Sequence, residues 1–581
     1  MTLRSLKRRV ALLMDATEDD YQVGILEGIS RAAEPTNVQL VCVAGGVVGD
    51  PALDQRSRRN FAFDLLDPHQ FAGIIALSGA LGNQLGVRGF AEFLQRFRGR
   101  PIVNLGVEVP GMHSISVAGA TGMRDVVLHL IQVHSHRRIA FVRGPATSEE
   151  AEQRYAAYRA ALDESGIAFD PRLVLQGSWL RESGALAVRE LFDERAMRVE
   201  AVSAIACAND YMALGALDVL SERGISVPGD VAVTGFDDLE ITRVAVPPLT
   251  TVRQPTEALG REGLRRLVAL MNGTEQPLSS ELVAEIVERR SCGCAKVDAQ
   301  QSARRTGAKG RSFEAAIVER RMLICAELAR VAHGALFGVG AGWEQRLIAA
   351  LLIDLTAQGT AAPSAFVPAI DQMMIKLQRV GGNLSVCQAV LSVLRREILE
   401  CASGDSDVIA RVEDLFYAAR ELLSESMVRT EISRKNETLA QLREFAQTSA
   451  LLLGETPLPE LQRKFEERFR ALGIPAFALG MFEEPGKVSD ECVCLAAYSS
   501  ARRFRIPGKF RASELGPTDL FAQDSGTLLV QPLIFEGVPV GIATIMLSTL
   551  DIAILEQLRE MLGAGLRGFQ LAHAARPRPK T

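Results

Sequence analysis

Ala206-Cys-Ala-Asn209-Asp210-Tyr-Met-Ala-Leu-Gly-Ala-Leu-Asp-Val-Leu220, followed by Val227-Pro228-Gly-Asp230-Val231-Ala-Val-Thr-Gly235-Phe236-Asp237-Asp238, decides the fold. An apolar run, Val202–Ala206, stops near the polar pair Asn209-Asp210, and a helical period then runs from Asp210 to Arg223. A second run, Val231–Thr234, stops just before Asp237. The same alternation extends outward from Arg9 to about Arg290. Its apolar runs are Val10–Met14, Val38–Val43, Gly73–Leu77, Pro101–Leu105, Arg138–Val142 and Leu173–Leu175. Helical periods lie between them at Tyr21–Ala33, Phe90–Phe97, Gly122–Val133, Glu149–Ser165 and Ser183–Asp193. Short strands alternating with longer helices argue for an α/β fold with parallel sheets covered by helices on both faces. About 280 residues of this pattern suggest two lobes rather than one.

The whole chain has 581 residues, of which 48% are hydrophobic and 23% charged, so it can bury several cores and is not a disordered polymer. Its formal net charge of -5 gives no global attraction to nucleic acid or to an anionic membrane. The apolar run Val10–Met14 is too short for a secretory signal, and no run of 18 apolar residues predicts a membrane span. Nine scattered cysteines, an odd count, point to buried thiols in a reducing compartment, hence to a cytoplasmic protein.

Residues 1–294 therefore read as a two-lobed α/β domain, and 295–310, rich in small and polar residues, as a linker. Residues 311–447 contain only long helical periods, ending in a charged connector, Glu421–Gln447. Within it Leu439, Leu442 and Phe445 form a partial apolar stripe, a candidate dimer seam unless the chain itself covers it. Residues 448–573 alternate a helix (Glu460–Leu472), strands (Ala476–Phe482, Glu491–Tyr498, Thr527–Phe535, Gly541–Leu547) and a closing helix (Asp551–Leu571). That order predicts a small α+β domain covered by helices on one side, followed by the polar tail 574–581.

The quoted stretches, with Pro247-Pro-Leu-Thr-Thr251-Val-Arg-Gln-Pro255 and His129-Leu-Ile-Gln-Val-His-Ser-His136-Arg-Arg-Ile139, resemble the effector-binding core of the LacI/GalR repressors, itself similar to type I periplasmic sugar-binding proteins. The resemblance covers residues 9–294. It implies a small polar ligand, sugar-like or nucleoside-like, held between the lobes by Arg154, Trp179, Asn209 and Asp237 of the second and by Asp15, Tyr21 and Ser78 of the first. The chemistry agrees: a carboxylate accepts, a guanidinium donates in a fork, an amide does both, and an indole stacks on a ring face. Asp210 is expected to cap its helix instead. The family tends to carry an Asp-Asn pair where this chain has Ala118-Gly119, and only eight residues precede Arg9, so its helix-turn-helix headpiece is not expected here.

Residues 448–573 resemble a GAF-type sensor. Cys292-Gly-Cys294 and Cys492-Val-Cys494 are C-x-C pairs without a second nearby Cys/His pair, so no metal is expected. His136 reads as structural, and no nucleophile pair or phosphate loop is present, so neither a cofactor nor an enzymatic activity is expected. The implied partners are the ligand, a second copy of the chain and a downstream signalling protein. The sequence leaves DNA as a partner undecided.

Overall fold

The computed structural model describes residues 7–49, 55–294, 313–332, 336–356, 364–380, 382–402, 405–453, 457–501, 505–517, 520–521, 526–547 and 552–574. The expected linker 295–310 and most of the tail 574–581 lie outside them. The chain forms two compact units, one of Met1–Ala295 with Ala440–Thr581 and one of Lys296–Leu439.

In the first unit, strands β1 (Arg8–Met14), β2 (Val38–Ala44), β3 (Gly73–Leu77), β4 (Ile102–Gly106) and β5 (His113–Val117) lie parallel in the order β5-β4-β3-β1-β2. The second lobe is a parallel sheet of β6 (Ile139–Arg143), β7 (Val174–Gln176), β8 (Ala204–Cys207) and β9 (Ala232–Thr234) in the order β7-β6-β8-β9. Their residues are almost all buried, as a sheet covered on both faces requires. Three short strands complete the domain. They are β10 (Thr251–Arg253), β11 (Ser279–Leu282), which adds to β5, and β12 (Glu285–Val287), which pairs antiparallel with β10.

The last third of the chain contributes β13 (Ala476–Phe482), β14 (Glu491–Ser499), β15 (Lys509–Arg511), β16 (Leu528–Phe535) and β17 (Val538–Met546). They are mutually antiparallel, in the order β16-β17-β13-β14-β15. Strand β16 also runs parallel to β2, with Leu529 opposite Cys42, so an eleven-stranded sheet crosses from the first lobe into this region. Pairing with β16 removes the open edge that β2 would otherwise present. One face of β13 and β14 carries Phe477, Leu479 and Leu495 against Phe465 and Phe469 of the helix Leu458–Ala471 and Leu562 of the helix Ile552–Ala574. Helices were expected on that side alone. The other face joins a core with Phe61, Phe63 and Phe90 of the first lobe, and Phe61 meets Phe482 edge-on at 5.8 Å.

The second unit is helical among its described residues: Phe313–Ala332, Trp343–Thr356, Phe366–Arg379, Ser385–Cys401 and the first part of Ser406–Leu453. Ile324, Leu328, Ile348, Leu391 and Phe416 form its core. Pro368 stands in the first turn of its helix, where an amide hydrogen has no intrahelical acceptor to lose. The last helix has 48 residues, starting fifteen positions before the expected Glu421, because neither glycine nor proline interrupts Ser406–Leu453. Along it the expected seam divides. Leu439 is 43% exposed, whereas Phe445 is fully buried in one core with Leu461 and Phe465, so this chain covers that end of the stripe itself.

Candidate functional site

The expected residues of the second lobe sit just beyond strand ends, where open α/β sheets bind ligands. Arg154 belongs to the helix Glu149–Glu164 after β6, Trp179 follows β7, Asn209 follows β8 and Asp237 follows β9. From the first lobe, Asp15 follows β1, and Tyr21 opens the helix Asp20–Ala33, whose N-cap Asp19 accepts from the Tyr21 amide at 3.1 Å.

Arg154 is the centre, with only 4% of its side chain exposed. Its guanidinium lies 3.8 Å from the ring centre of Phe236 and 5.3 Å from that of Trp179, and Nη1 donates to the Ala208 carbonyl at 2.8 Å. Two carboxylates flank it, Glu150 at 3.8 Å and Asp237 at 3.9 Å. Asp237 also accepts from Gln254 Nε2 at 2.7 Å. Burial pushes the Asp237 carboxyl up to about 7, against the opposing pull of Arg154 and the Gln254 hydrogen bond. Tyr21 reaches the same group from the other lobe. Burial raises its phenol well above the ordinary value, and the charges that act on it are Glu150, Asp237, Arg154 and Asp19. Arg154 Nε and Tyr21 Oη are buried with no hydrogen-bond partner among the described residues. Native structures rarely leave such atoms unpaired unless a ligand or solvent completes them. Gly119 explains one of them: a Cβ at that position would lie 3.7 Å from Arg154 Nε, so no side chain of residue 119 reaches it.

Three expected residues are committed elsewhere. Asn209 is the N-cap of the helix Asp210–Glu222, its Oδ1 accepting from Met212 N at 2.9 Å and its Nδ2 donating to the Trp179 carbonyl at 2.9 Å. The capping expected of Asp210 thus falls to its neighbour, while the fully buried Asp210 accepts from Thr251 Oγ1 at 2.6 Å and Leu239 N at 3.0 Å. Ser78 donates to the carbonyls of Leu105 and Val107 at 3.0 and 3.1 Å, which ties β3 to the end of β4. Asp15 pairs with Arg56 at 2.8 Å, and burial still pushes its carboxyl up to about 7. Ser78 nevertheless lines a small cleft of about 10 Å³, room for about one water molecule, that Gly79, Phe90 and Val107 share with Thr147 and Glu149 of the second lobe. The participants that sequence reasoning missed are Phe236, Glu150 and Gln254. Glu150 stands one helical turn before Arg154, a spacing visible in the sequence.

A family profile described as a periplasmic binding protein-like domain matches residues 127–292. The HTH-type transcriptional regulator CelR of Thermobifida fusca is 39% identical over 196 residues, 34% of this chain and 55% of CelR, so the chain spans about half the length of that relative. The HTH-type transcriptional repressor CytR of Escherichia coli (strain K12) is 29% identical over 295 residues, 50% of this chain and 80% of CytR. The N-terminal half of the chain is a LacI-type effector-binding domain. Among solved structures, a CelR–cellobiose complex matches 49% of this chain and 85% of its own at 31% identity, with a TM-score of 0.42.

The LacI-type domain also corrects the reading of its C-x-C pair. Cys292 and Cys294 do have a nearby pair, His129 and His134, brought in across some 160 residues of sequence. Burial opposes ionisation of Cys292, but hydrogen bonds from His129 and Thr250 outweigh it and hold the thiol below its ordinary value. Cys492 and Cys494 differ. Both are buried in β14, which pushes each thiol up to about 12, the behaviour of inert core cysteines. No described helix is long and apolar enough to cross a membrane.

Proposed function

We propose that the chain is a ligand-responsive regulator whose LacI-type domain binds a small polar molecule between its lobes. One observation carries this reading: Arg154, Asp237 and Tyr21 converge from both lobes, and buried Arg154 Nε and Tyr21 Oη lack partners among the described residues. Phe236 and Trp179 supply the apolar walls of a site for a sugar-like or nucleoside-like ligand. Because Gly119 offers Arg154 no acceptor, the ligand supplies it. Binding stabilises a closed arrangement only to the extent that the ligand prefers that arrangement. The region 448–573, which continues the first lobe's sheet, acts as a GAF-like sensor or scaffold that feels this closure, in a cytoplasmic homodimer signalling to a downstream protein.

The test is mass-spectrometric identification of small molecules released from the purified full chain, followed by calorimetry with the candidate. A polyol or nucleoside binding near one per chain supports the reading; a set of sugars and nucleosides that all fail overturns it. Light scattering at about twice the 62.9 kDa chain mass supports the dimer. A second reading, a transcriptional regulator with its own DNA-reading element, draws on the HTH-type regulators among the relatives. It predicts an enriched duplex site bound at about 10⁻⁸ M or tighter.

A further inference from the structure

We propose that His129, His134, Cys292 and Cys294 form a tetrahedral zinc site that staples the end of the effector-binding domain to its second lobe. The four ligand atoms lie within 4.8 Å of one another. His129 Nε2 is 3.5 Å from Cys292 Sγ and 3.4 Å from Cys294 Sγ, and His134 Nε2 is 3.3 Å from Cys294 Sγ. Zinc bonds of about 2.3 Å to sulfur and about 2.0–2.1 Å to nitrogen, placed at tetrahedral corners, put ligand atoms about 3.3–3.8 Å apart. These three separations fall in that range, and the remaining ones, none above 4.8 Å, need only a small contraction.

The backbone is shaped to converge. His129 sits in the last turn of the helix Gly119–Gln132, and the chain reverses at Ser135, whose φ is 60°. On the opposite side a single turn, Arg290–Cys292, presents the first thiol. Gly293, at φ 106°, swings the second thiol back to the same point, and a Cβ there would come within 3.2 Å of His134 Nδ1. Residue 293 therefore favours glycine for both conformation and space. The surroundings also suit coordination. Glu288 Oε1 faces His129 Nδ1 at 3.7 Å, placed to orient a ring that ligates through Nε2, and Thr250 Oγ1 lies 3.1 Å from Cys292 Sγ. Glu288 Oε2 stands 3.9 Å from Cys294 Sγ. Cys292 and His129 are buried while Cys294 and His134 are partly open, so the pocket is closed on one side and reachable on the other.

Two thiolates and two imidazoles in a tetrahedron select zinc among common divalent ions, whereas calcium and magnesium demand oxygen ligands. With four protein ligands no position is left for a substrate, so the site is structural. Binding displaces both thiol protons, and the resulting cluster of Zn²⁺ with two thiolates is neutral. Cys294 stands one residue before Ala295, where this segment of the first compact unit ends, so the ion would fix the point where the chain leaves the effector-binding domain.

Elemental analysis of the full chain, purified without chelator, is expected to find about one zinc per chain. Cobalt(II) in its place should give thiolate charge-transfer absorption with the visible bands of a tetrahedral ion. His134→Asn and Cys294→Ser should each lose bound zinc, Glu288→Gln should weaken binding about 10–100-fold, and the Cys492→Ser/Cys494→Ser double variant should bind as the parent does. Alkylation mapping of the unmodified chain serves if a variant misfolds: zinc should shield Cys292 and Cys294 and leave other accessible cysteines reactive. The proposal fails if the parent takes up neither ion, if Cys292→Ser/Cys294→Ser retains zinc, if alkylation is unchanged by zinc, or if these two cysteines are found joined as a metal-free disulfide.

Discussion

The two lobes share one architecture but not one boundary condition. The first lobe's sheet runs on through β2 into β16 and ends at β15, eleven strands in all, whereas the second lobe's sheet stops at four. A joined sheet with cores on both faces resists movement because every shift must break strand pairing and repack side chains. The second lobe has no such continuation among the described strands, so the closure proposed above would move it against a first lobe fused to residues 476–546. The difference teaches where signal transmission would begin: at the cleft, with the second lobe as the moving part.

The largest effect is expected at the seam of the fused region. Arg59 Nη2 and Arg559 Nη2 both meet Glu556 Oε1, at 2.8 and 2.6 Å, and all three side chains are at most 8% exposed. Removing one partner strands buried charge, which costs about 3–5 kcal/mol even where the intact cluster contributes little net stability. Glu556→Ala should lower the urea midpoint of the first lobe and residues 457–574 together. Separate transitions would show that the shared sheet does not couple them.

The next effect concerns pH and belongs to the cleft. The Asp15 and Asp237 carboxyls are both pushed up to about 7 by burial. Between about pH 4 and 7 the folded form holds protons that the unfolded form releases, so these groups' contribution to stability is full at low pH and is lost as pH rises through 7. Each contributes at most about 1.4 kcal/mol per pH unit in that window. Thermal melts at pH 5 and 8 should therefore differ less for Asp237→Asn than for the parent. An equal difference would remove Asp237 from the set of strained acids.

How far the sequence reveals these features depends on how local their cause is. Gly73–Leu77 and Ala476–Phe482 match the expected strands end to end because their apolar runs are continuous and buried. His113–Val117 was not anticipated, since Ser114 and Ser116 interrupt its apolar pattern, and β10, β11 and β12 are too short to show a period. In the cleft, strand-end position pointed to Asp237, residue type and the family resemblance to Arg154, and the resemblance alone to Tyr21; the structure brings the three together. The exchange of roles between Asn209 and Asp210 was not legible, because a cap depends on which side chain reaches Met212 N. The His/Cys cluster is long-range, but a signal existed: three of the seven histidines fall between positions 129 and 136.

A smaller effect should separate ligand-binding from structural residues of the cleft. A buried polar group left unpaired costs about 1–3 kcal/mol, so Asp237→Ala should weaken ligand binding roughly 5–150-fold in calorimetry. Ser78→Ala breaks hydrogen bonds within the first lobe and should lower its melting temperature while leaving affinity nearly unchanged. If both variants lose affinity alike, the first lobe takes a direct part in binding through Ser78.

The smallest effect tests what holds the second lobe together. Arg181 and Asp218 join its helices Arg181–Arg189 and Asp210–Glu222 by two hydrogen bonds of 2.7 Å each, yet both side chains are 44% exposed. Exposed pairs are worth about 0–1 kcal/mol, so Asp218→Ala should shift the urea midpoint little, and less in high salt. Packing is the stronger bond between these helices. Their backbones approach through Gly184 and Gly215, and a Cβ at residue 215 would sit 1.9 Å from the Arg181 carbonyl oxygen. Gly215→Ala must push the helices apart and should cost about 1–3 kcal/mol or more. That ordering distinguishes a lobe held by close helix contact from one held by surface charge: a larger loss for Asp218→Ala than for Gly215→Ala would reverse it, and would make the second lobe's rigidity, and with it the closing movement, dependent on ionic strength.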